Sequence, residues 1–148
     1  MNTDKIIEIT HPCPPGKHYL RRYKTLRGAW YSCPRGDWML WLAQKLGVDV
    51  RVLTLAKGLC ANAVRHLMKD PRSVVAVDAA IAFGRGEMGE KELDAAAVDA
   101  DAAAAGAVDR ASYAARKRVW AKTADICRDI LTEAVMRVSL EAAGKGDK

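Results

Sequence analysis

The chain lacks any long uncharged apolar run, and this excludes a membrane-spanning helix. No stretch approaches the roughly 18 consecutive apolar residues that a helix needs to cross a bilayer. The opening residues, MNTDKIIEITHP, hold too short an apolar stretch for a secretion signal. We therefore expect a cytoplasmic protein that makes no contact with a membrane.

Catalytic signatures are also missing. The sequence contains no glycine-rich phosphate loop, no GxSxG nucleophile motif and no HExxH zinc motif. His66 falls at the edge of a polar helix stripe, where an exposed or interface histidine is more common than a catalytic base. Cys60 has no neighbour that would activate its thiol. The sequence thus favours a protein that is not an enzyme and needs no cofactor.

Four cysteines would allow two disulfides in an oxidising compartment, but nothing in the sequence places the chain in one. Cys60 and Cys127 fall on the apolar faces of predicted helices, so we interpret them as small buried hydrophobic residues.

Four side chains of types that bind zinc lie near the N-terminus: His11, Cys13, His18 and Cys33. They include no paired CxxC and no HxxxH repeat, so their spacing matches no common structural zinc site. No metal ligand is assigned on this basis, and whether these four residues bind a metal stays open.

The apolar pattern predicts an all-α fold. A chain of 148 residues is long enough for one domain with a real core, and its apolar half is rich in alanine, the best helix former. We expect a compact single-domain bundle of about five or six helices, one of them long and alanine-rich. The expected parts are a proline-rich N-terminal arm over residues 1–16, a helical domain over 17–141 and a flexible tail over 142–148. The predicted helices cover residues 17–27, 37–46, 50–69, 73–83, an alanine-rich stretch near 92–118 that Gly106 bends or breaks, and 110–141.

The segment HPCPPG ends the predicted arm, because three prolines and a glycine disfavour regular structure. After it, Tyr19, Leu20, Tyr23 and Leu26 recur at three- and four-residue spacing. This spacing predicts a short basic helix over 17–27, with Gly28 as its stop.

The segment SCPRGDWMLWL, residues 32–42, joins a turn to an apolar helix. We predict that Gly36 permits the turn, that Asp37 is the N-cap, and that Arg35 pairs with a carboxylate. Trp38 and Trp41 then lock the helix into the core. An Arg-Gly-Asp adhesion site would need a flexible extracellular loop, so we interpret the triplet as architectural.

Positive charge is concentrated in the first half of the chain. Residues 1–72 hold 13 Lys and Arg against 5 Asp and Glu, a balance of +8, whereas residues 73–148 hold 11 against 13, a balance of −2. Such a block favours an acidic partner, either a protein or a nucleic acid whose bases stack on the interleaved aromatic rings. The residues predicted to bind the partner are Lys17, Tyr19, Arg21, Arg22, Tyr23, Lys24, Arg27, Arg35, Arg116, Lys117 and Arg118. The acidic connector over residues 87–101 would serve a second contact or a homodimer.

The block CPRGDWMLWL, a later helix with Cys60 and Ala61, an alanine-rich stretch and then ADICR at residues 124–128 together resemble the immunity protein family described as Imm-five-like. The resemblance covers residues 29–138. It implies an all-helical protein from a bacterial toxin–immunity setting or from a phage genome, acting in a bacterial cell or a phage-infected host. Members tend to open with an acidic, alanine-rich helix, whereas this chain opens with the proline-rich and basic HPCPPGKHYLRRYKTLRG.

These observations lead to one hypothesis and one alternative. The chain is predicted to be a non-catalytic inhibitor that neutralises a bacterial effector through a protein–protein interface. It would be a toxin immunity protein or a phage anti-defence inhibitor such as an anti-CRISPR protein. The alternative is a nucleic-acid-binding protein that uses the basic aromatic segment.

Overall fold

The computed structural model describes residues 1–97 and 113–144, and the fold within these ranges is all-α, as predicted. Eight α-helices lie there, so the expected count of five or six was too low. Their bounds are α1 Thr3–Thr10, α2 Pro14–Leu20, α3 Leu26–Ser32, α4 Gly36–Lys45, α5 Val50–Asn62, α6 Pro71–Gly84, α7 Glu90–Ala97 and α8 Tyr113–Gly144, with a 3-10 turn at Arg65–Leu67. No helix in the described ranges is both long enough and apolar enough to cross a membrane.

The N-terminal segment was predicted to be irregular, and this was wrong. Asn2 caps α1, its side-chain oxygen accepting the Lys5 N–H at 2.8 Å, and Ile6 is fully buried. Pro14 and Pro15 open α2, because proline is compatible with the first turn of a helix, where its missing N–H would have no partner. The prolines therefore start a helix instead of preventing one.

The single helix predicted over 17–27 is two helices with a break between them. The break is held by the N-terminal segment: the Thr3 N–H donates to the Lys24 carbonyl at 3.3 Å, and the Leu26 N–H donates to the Met1 carbonyl at 3.1 Å. Thr25 then caps α3, its hydroxyl oxygen accepting the Gly28 N–H at 3.2 Å. Gly28 consequently lies inside α3 and does not end a helix.

Helix α8 packs against α4 and α5 to form the core. Gly36, the first residue of α4, lies so close to α8 that an added Cβ would come within 2.6 Å of Thr123 Cβ. Gly36 is thus required by helix contact and not by a turn. The largest fully buried side chains of this core include Trp30, Leu26, Met39, Leu131 and Val135.

The remaining predictions concern the helix ends. The predicted helix 50–69 ends at Asn62 and gives way to the 3-10 turn, while α6 starts two residues early because Asp70 caps it by accepting the Arg72 N–H at 2.9 Å. Residues 142–144, expected in the tail, are helical. The alanine-rich stretch around Gly106 and the final residues 145–148 lie outside the described residues.

Candidate functional site

A cavity of about 620 Å³ opens where α2, α3 and α4 meet the connection between α1 and α2. We call it the aromatic pocket. Three tryptophans and one tyrosine line it, together with aliphatic side chains and a few polar groups. Its lining residues are His11, Pro12, Cys13, Gly16, Tyr19, Leu20, Ala29, Trp30, Cys33, Asp37, Trp38, Met39, Trp41, Leu42 and Lys45.

The three tryptophans of the pocket differ in burial. Trp30 is 1% exposed, and its indole N–H donates to the Thr132 hydroxyl oxygen at 2.9 Å. Trp38 is half-buried, and Trp41 is 37% exposed. The prediction that Trp38 and Trp41 lock α4 into the core was therefore wrong for Trp41, because α4 turns Met39, Leu42 and Ala43 to the core and the tryptophan face to the pocket.

The Arg35 side chain is held in a clamp formed by the Trp38 and Trp120 rings and does not project outward. Its guanidinium carbon is 4.6 Å from the centre of the Trp38 ring and 4.1 Å from that of the Trp120 ring. Two of its nitrogens donate to the Asp37 carboxylate, Nε at 3.0 Å. Asp37 is therefore not the N-cap, a position that Arg35 occupies without a side-chain cap. The Arg35–Asp37 pair neutralises both charges at the edge of the pocket.

Tyr19 forms a fixed wall of the pocket. Its hydroxyl donates to the Ala29 carbonyl at 2.9 Å, and its ring meets the Trp38 ring edge-on at a centroid distance of 5.7 Å. It also contacts Tyr23 at 5.2 Å. Burial raises the pKa of the Tyr19 hydroxyl, so this wall stays neutral.

The zinc-binding residue types converge only in part. His11, Cys13 and Cys33 line the aromatic pocket, and His18 does not. Burial raises the pKa of the Cys33 thiol, which favours the protonated form over the thiolate that binds metals. No group of three His, Cys, Asp or Glu side chains within the described ranges is arranged to hold a metal ion.

The loop between α2 and α3 and the first turn of α3 carry four exposed cations: Arg21, Arg22 and Lys24 in the loop, and Arg27 in the helix. We call these residues, with Tyr31, the basic surface. No salt bridge among the described residues involves any of the four cations. Arg27 lies 5.8 Å above the Tyr31 ring, which is 50% exposed.

The other predicted contact residues are less uniform. Lys17 and Tyr23 are half-buried. Lys117 and Arg118 are exposed on α8, whereas Arg116 is half-buried and its Nε is buried with no hydrogen-bond partner. The three residues on α8 thus belong to a different helix from the basic surface.

Sequence reasoning missed Lys45 and Arg128. Lys45 lies seven residues after Trp38 and four after Trp41, so a shared helix face was the signal for it. Arg128 holds the end of α3, since its Nη1 donates to the Cys33 carbonyl at 2.9 Å. No pattern in the sequence indicated that contact.

The two residues considered for catalysis lie outside the aromatic pocket. His66 is exposed in the 3-10 turn. Cys60 is buried, and its Sγ lies 3.9 Å from Cys127 Sγ. Contact with Cys60 and burial together raise the pKa of the Cys127 thiol.

Comparisons of this chain with protein-family models, with curated proteins and with solved structures find no match. The aromatic pocket and the basic surface must therefore be interpreted from their own chemistry.

Proposed function

We propose that this chain is a non-catalytic binding protein that inhibits another macromolecule by occupying its acidic surface. One observation carries the proposal: Arg21, Arg22, Lys24 and Arg27 are exposed within seven residues, and none has a salt bridge among the described residues. Exposed cations without partners repel one another at a small cost in stability. An acidic partner removes that cost and gains complementary charge.

The basic surface also offers an anchor. Interfaces draw most of their binding free energy from a few aromatic and arginine side chains, while charge complementarity accelerates encounter and sets the orientation. Tyr31 is half exposed under Arg27, so a partner would cover both groups together. This combination suits a protein surface with carboxylates around an apolar patch.

The narrower role rests on the resemblance of the CPRGDWMLWL block to the Imm-five-like immunity proteins. On that basis the partner is a bacterial toxin or a host defence complex, and the chain is an immunity protein or a phage anti-defence inhibitor. Cys33 and Cys127 are buried with raised pKa values, so these two thiols are poor nucleophiles.

Nucleic acid is the second candidate partner, and Tyr31 is the observation that favours it. An exposed ring beside arginines can stack on a base while the cations contact phosphates. The two candidates differ in what they predict for a bare oligonucleotide. Only the second predicts binding that falls steeply as salt rises.

The test is a charge reversal with a matched control. The variant Arg21→Glu/Arg22→Glu/Arg27→Glu reverses the basic surface, and Lys69→Glu/Arg85→Glu/Arg137→Glu reverses three exposed cations elsewhere. Both variants lose the same six units from a net charge of +6. Each protein is immobilised, exposed to nuclease-treated bacterial lysate, and the retained partner is then titrated by calorimetry.

We expect the first variant to weaken binding on the order of 100-fold, because it replaces attraction by repulsion at three points, and the control to weaken it by less than about threefold. Equal losses in the two variants contradict the proposal. Fluorescent single-stranded and duplex oligonucleotides are titrated in parallel. Binding that depends steeply on salt and is lost only in the first variant selects nucleic acid as the partner.

A further inference from the structure

We propose that the aromatic pocket binds a small aromatic carboxylate. This inference goes beyond the proposed function and does not depend on it, because the pocket and the basic surface share no residue. It rests on three features of the pocket: its size, its aromatic walls and the charge at its rim.

The size of the pocket suits a small molecule. Its volume of about 620 Å³ falls inside the range of roughly 300–1,000 Å³ that is typical of small-molecule sites. The pocket is open to solvent, because Trp41 and Lys45 in its lining are both exposed.

The walls suit a flat apolar body. Trp38 and Trp41, three residues apart on α4, both contribute to the lining. Trp38 is held by the edge-on contact with Tyr19 and by the stacked Arg35 guanidinium, so the wall is formed before any ligand arrives. Trp41, in contrast, leaves 37% of its surface exposed. A bound aromatic ring would cover that surface and would gain stacking with the indoles.

The rim suits a single negative charge. Asp37 is the one acidic residue in the lining, and the two hydrogen bonds from Arg35 neutralise it. Lys45 is exposed and makes no salt bridge among the described residues. Its ammonium group is therefore the charge left for a ligand, and a carboxylate is the group that complements it.

The experiment uses 2-naphthoate as the probe and 2-naphthamide as its neutral isostere, each titrated calorimetrically into the full chain. We expect one naphthoate per chain and binding at least about tenfold tighter than that of the amide. Lys45→Glu should weaken naphthoate binding by about tenfold or more, because it places a repelling charge at the rim. Lys69→Glu, an exposed lysine outside the pocket, should change it by less than about twofold.

A second readout places the probe in the pocket. Naphthoate should shift the indole N–H resonances of Trp38 and Trp41 in a ¹⁵N spectrum, and Trp41→Ala should weaken binding while Tyr31→Ala should not. Equal affinity for acid and amide, equal effects of Lys45→Glu and Lys69→Glu, or no binding at about 1 mM probe would overturn the inference.

The failures of the two proposals are distinguishable. The variant Arg21→Glu/Arg22→Glu/Arg27→Glu should keep naphthoate affinity within about threefold, because these charges lie outside the pocket and are screened by salt. A parallel loss would mean that general charge attraction, not a built site, holds the probe. An acidic peptide from the captured partner gives a further distinction. If the peptide displaces no naphthoate, the pocket and the partner surface are separate sites. If the peptide shifts the Trp41 resonance and naphthoate does not, the pocket belongs to the partner interface and the inference is wrong.

Discussion

Two regions of this protein use the same residue types in opposite ways. In the first, which we call the α8 seam, α8 contacts α4 and α5 through Gly36, Thr123, Cys60 and Cys127, all of them buried. The Cys127 thiol donates to the Gly36 carbonyl at 3.6 Å and lies 3.9 Å from Cys60 Sγ. In the second, which we call the pocket side, are α2 with its N-cap residue, α3 and the tryptophan face of α4. There, glycine, cysteine and tryptophan are found at exposed or half-exposed positions, as Gly28, Cys13 and Trp41.

The difference shows how stability and binding are divided. Helices α2 and α3 have only seven residues each, which is too short for stability on their own. Long-range contacts hold α3: Trp30 donates to Thr132 of α8, and Arg128 of α8 donates to the Cys33 carbonyl at the end of α3. Helix α2 is in turn tied to α3, because the Tyr19 hydroxyl donates to the Ala29 carbonyl. The seam therefore supplies rigidity, and the pocket side can leave aromatic rings and cations uncovered.

The strongest way to break this comparison is to add one methyl group to each region. Gly36→Ala places a Cβ within 2.5 Å of the Thr123 backbone carbonyl carbon, so α4 and α8 must separate. We expect a loss of about 3 kcal/mol in the free energy of unfolding. Gly28→Ala places its Cβ 3.4 Å from Thr25 Oγ1, an ordinary contact, and should stabilise α3 by about 0.5–1 kcal/mol.

Urea unfolding followed by circular dichroism measures both changes. The sign is the decisive feature, since one substitution type should give opposite results in the two regions. A Gly36→Ala protein with unchanged stability would mean that the seam yields easily, and the division of roles described above would be wrong.

A second comparison uses tryptophan. Trp30→Phe removes the hydrogen bond to Thr132 and leaves a cavity in the core, at a cost of about 2 kcal/mol. Trp41→Phe changes a side chain that is 37% exposed and should alter the free energy of unfolding by less than about 0.5 kcal/mol. Both values come from the same urea titrations. Similar losses in the two variants would show that Trp41 is as structural as Trp30.

The sequence indicated the fold class and several helix ends, for local physical reasons. Asp49 caps α5, as predicted, and α6 ends at Gly84, one residue beyond the predicted end, because these choices depend on the nearest residues. The break between α2 and α3 could not be predicted, since it depends on contacts with Met1 and Thr3, more than twenty residues away.

The candidate site was predictable only in its composition. The aromatic and basic residues of 17–41 were identified, but the burial of each tryptophan depends on which face α8 covers. In the folded chain Trp30 is buried in the core and Trp41 is partly exposed. Asp37 likewise had two available partners, the backbone N–H groups of its helix and the Arg35 guanidinium. The guanidinium lies close enough to pair with Asp37 because the Trp120 ring of α8 packs against it, a contact that the sequence does not indicate.

The smallest expected effect concerns the thiols and pH. The pKa of the Cys127 thiol is raised in the folded protein by its contact with Cys60 and by burial. The unfolded chain therefore loses this proton first, at the ordinary thiol pKa of about 8.5, so stability is complete below that pH and declines above it. Between pH 7.5 and 9.5 this thiol should account for about 1 kcal/mol of lost stability.

Urea titrations across this range should show a shallower decline for Cys127→Ala than for the unmodified chain, whatever its stability at neutral pH. Cys13→Ala, at an exposed thiol, should keep the full decline. Identical slopes in all three proteins would mean that the Cys127 thiol is not protected by the seam, and the contrast between the two regions would then apply to glycine and tryptophan alone.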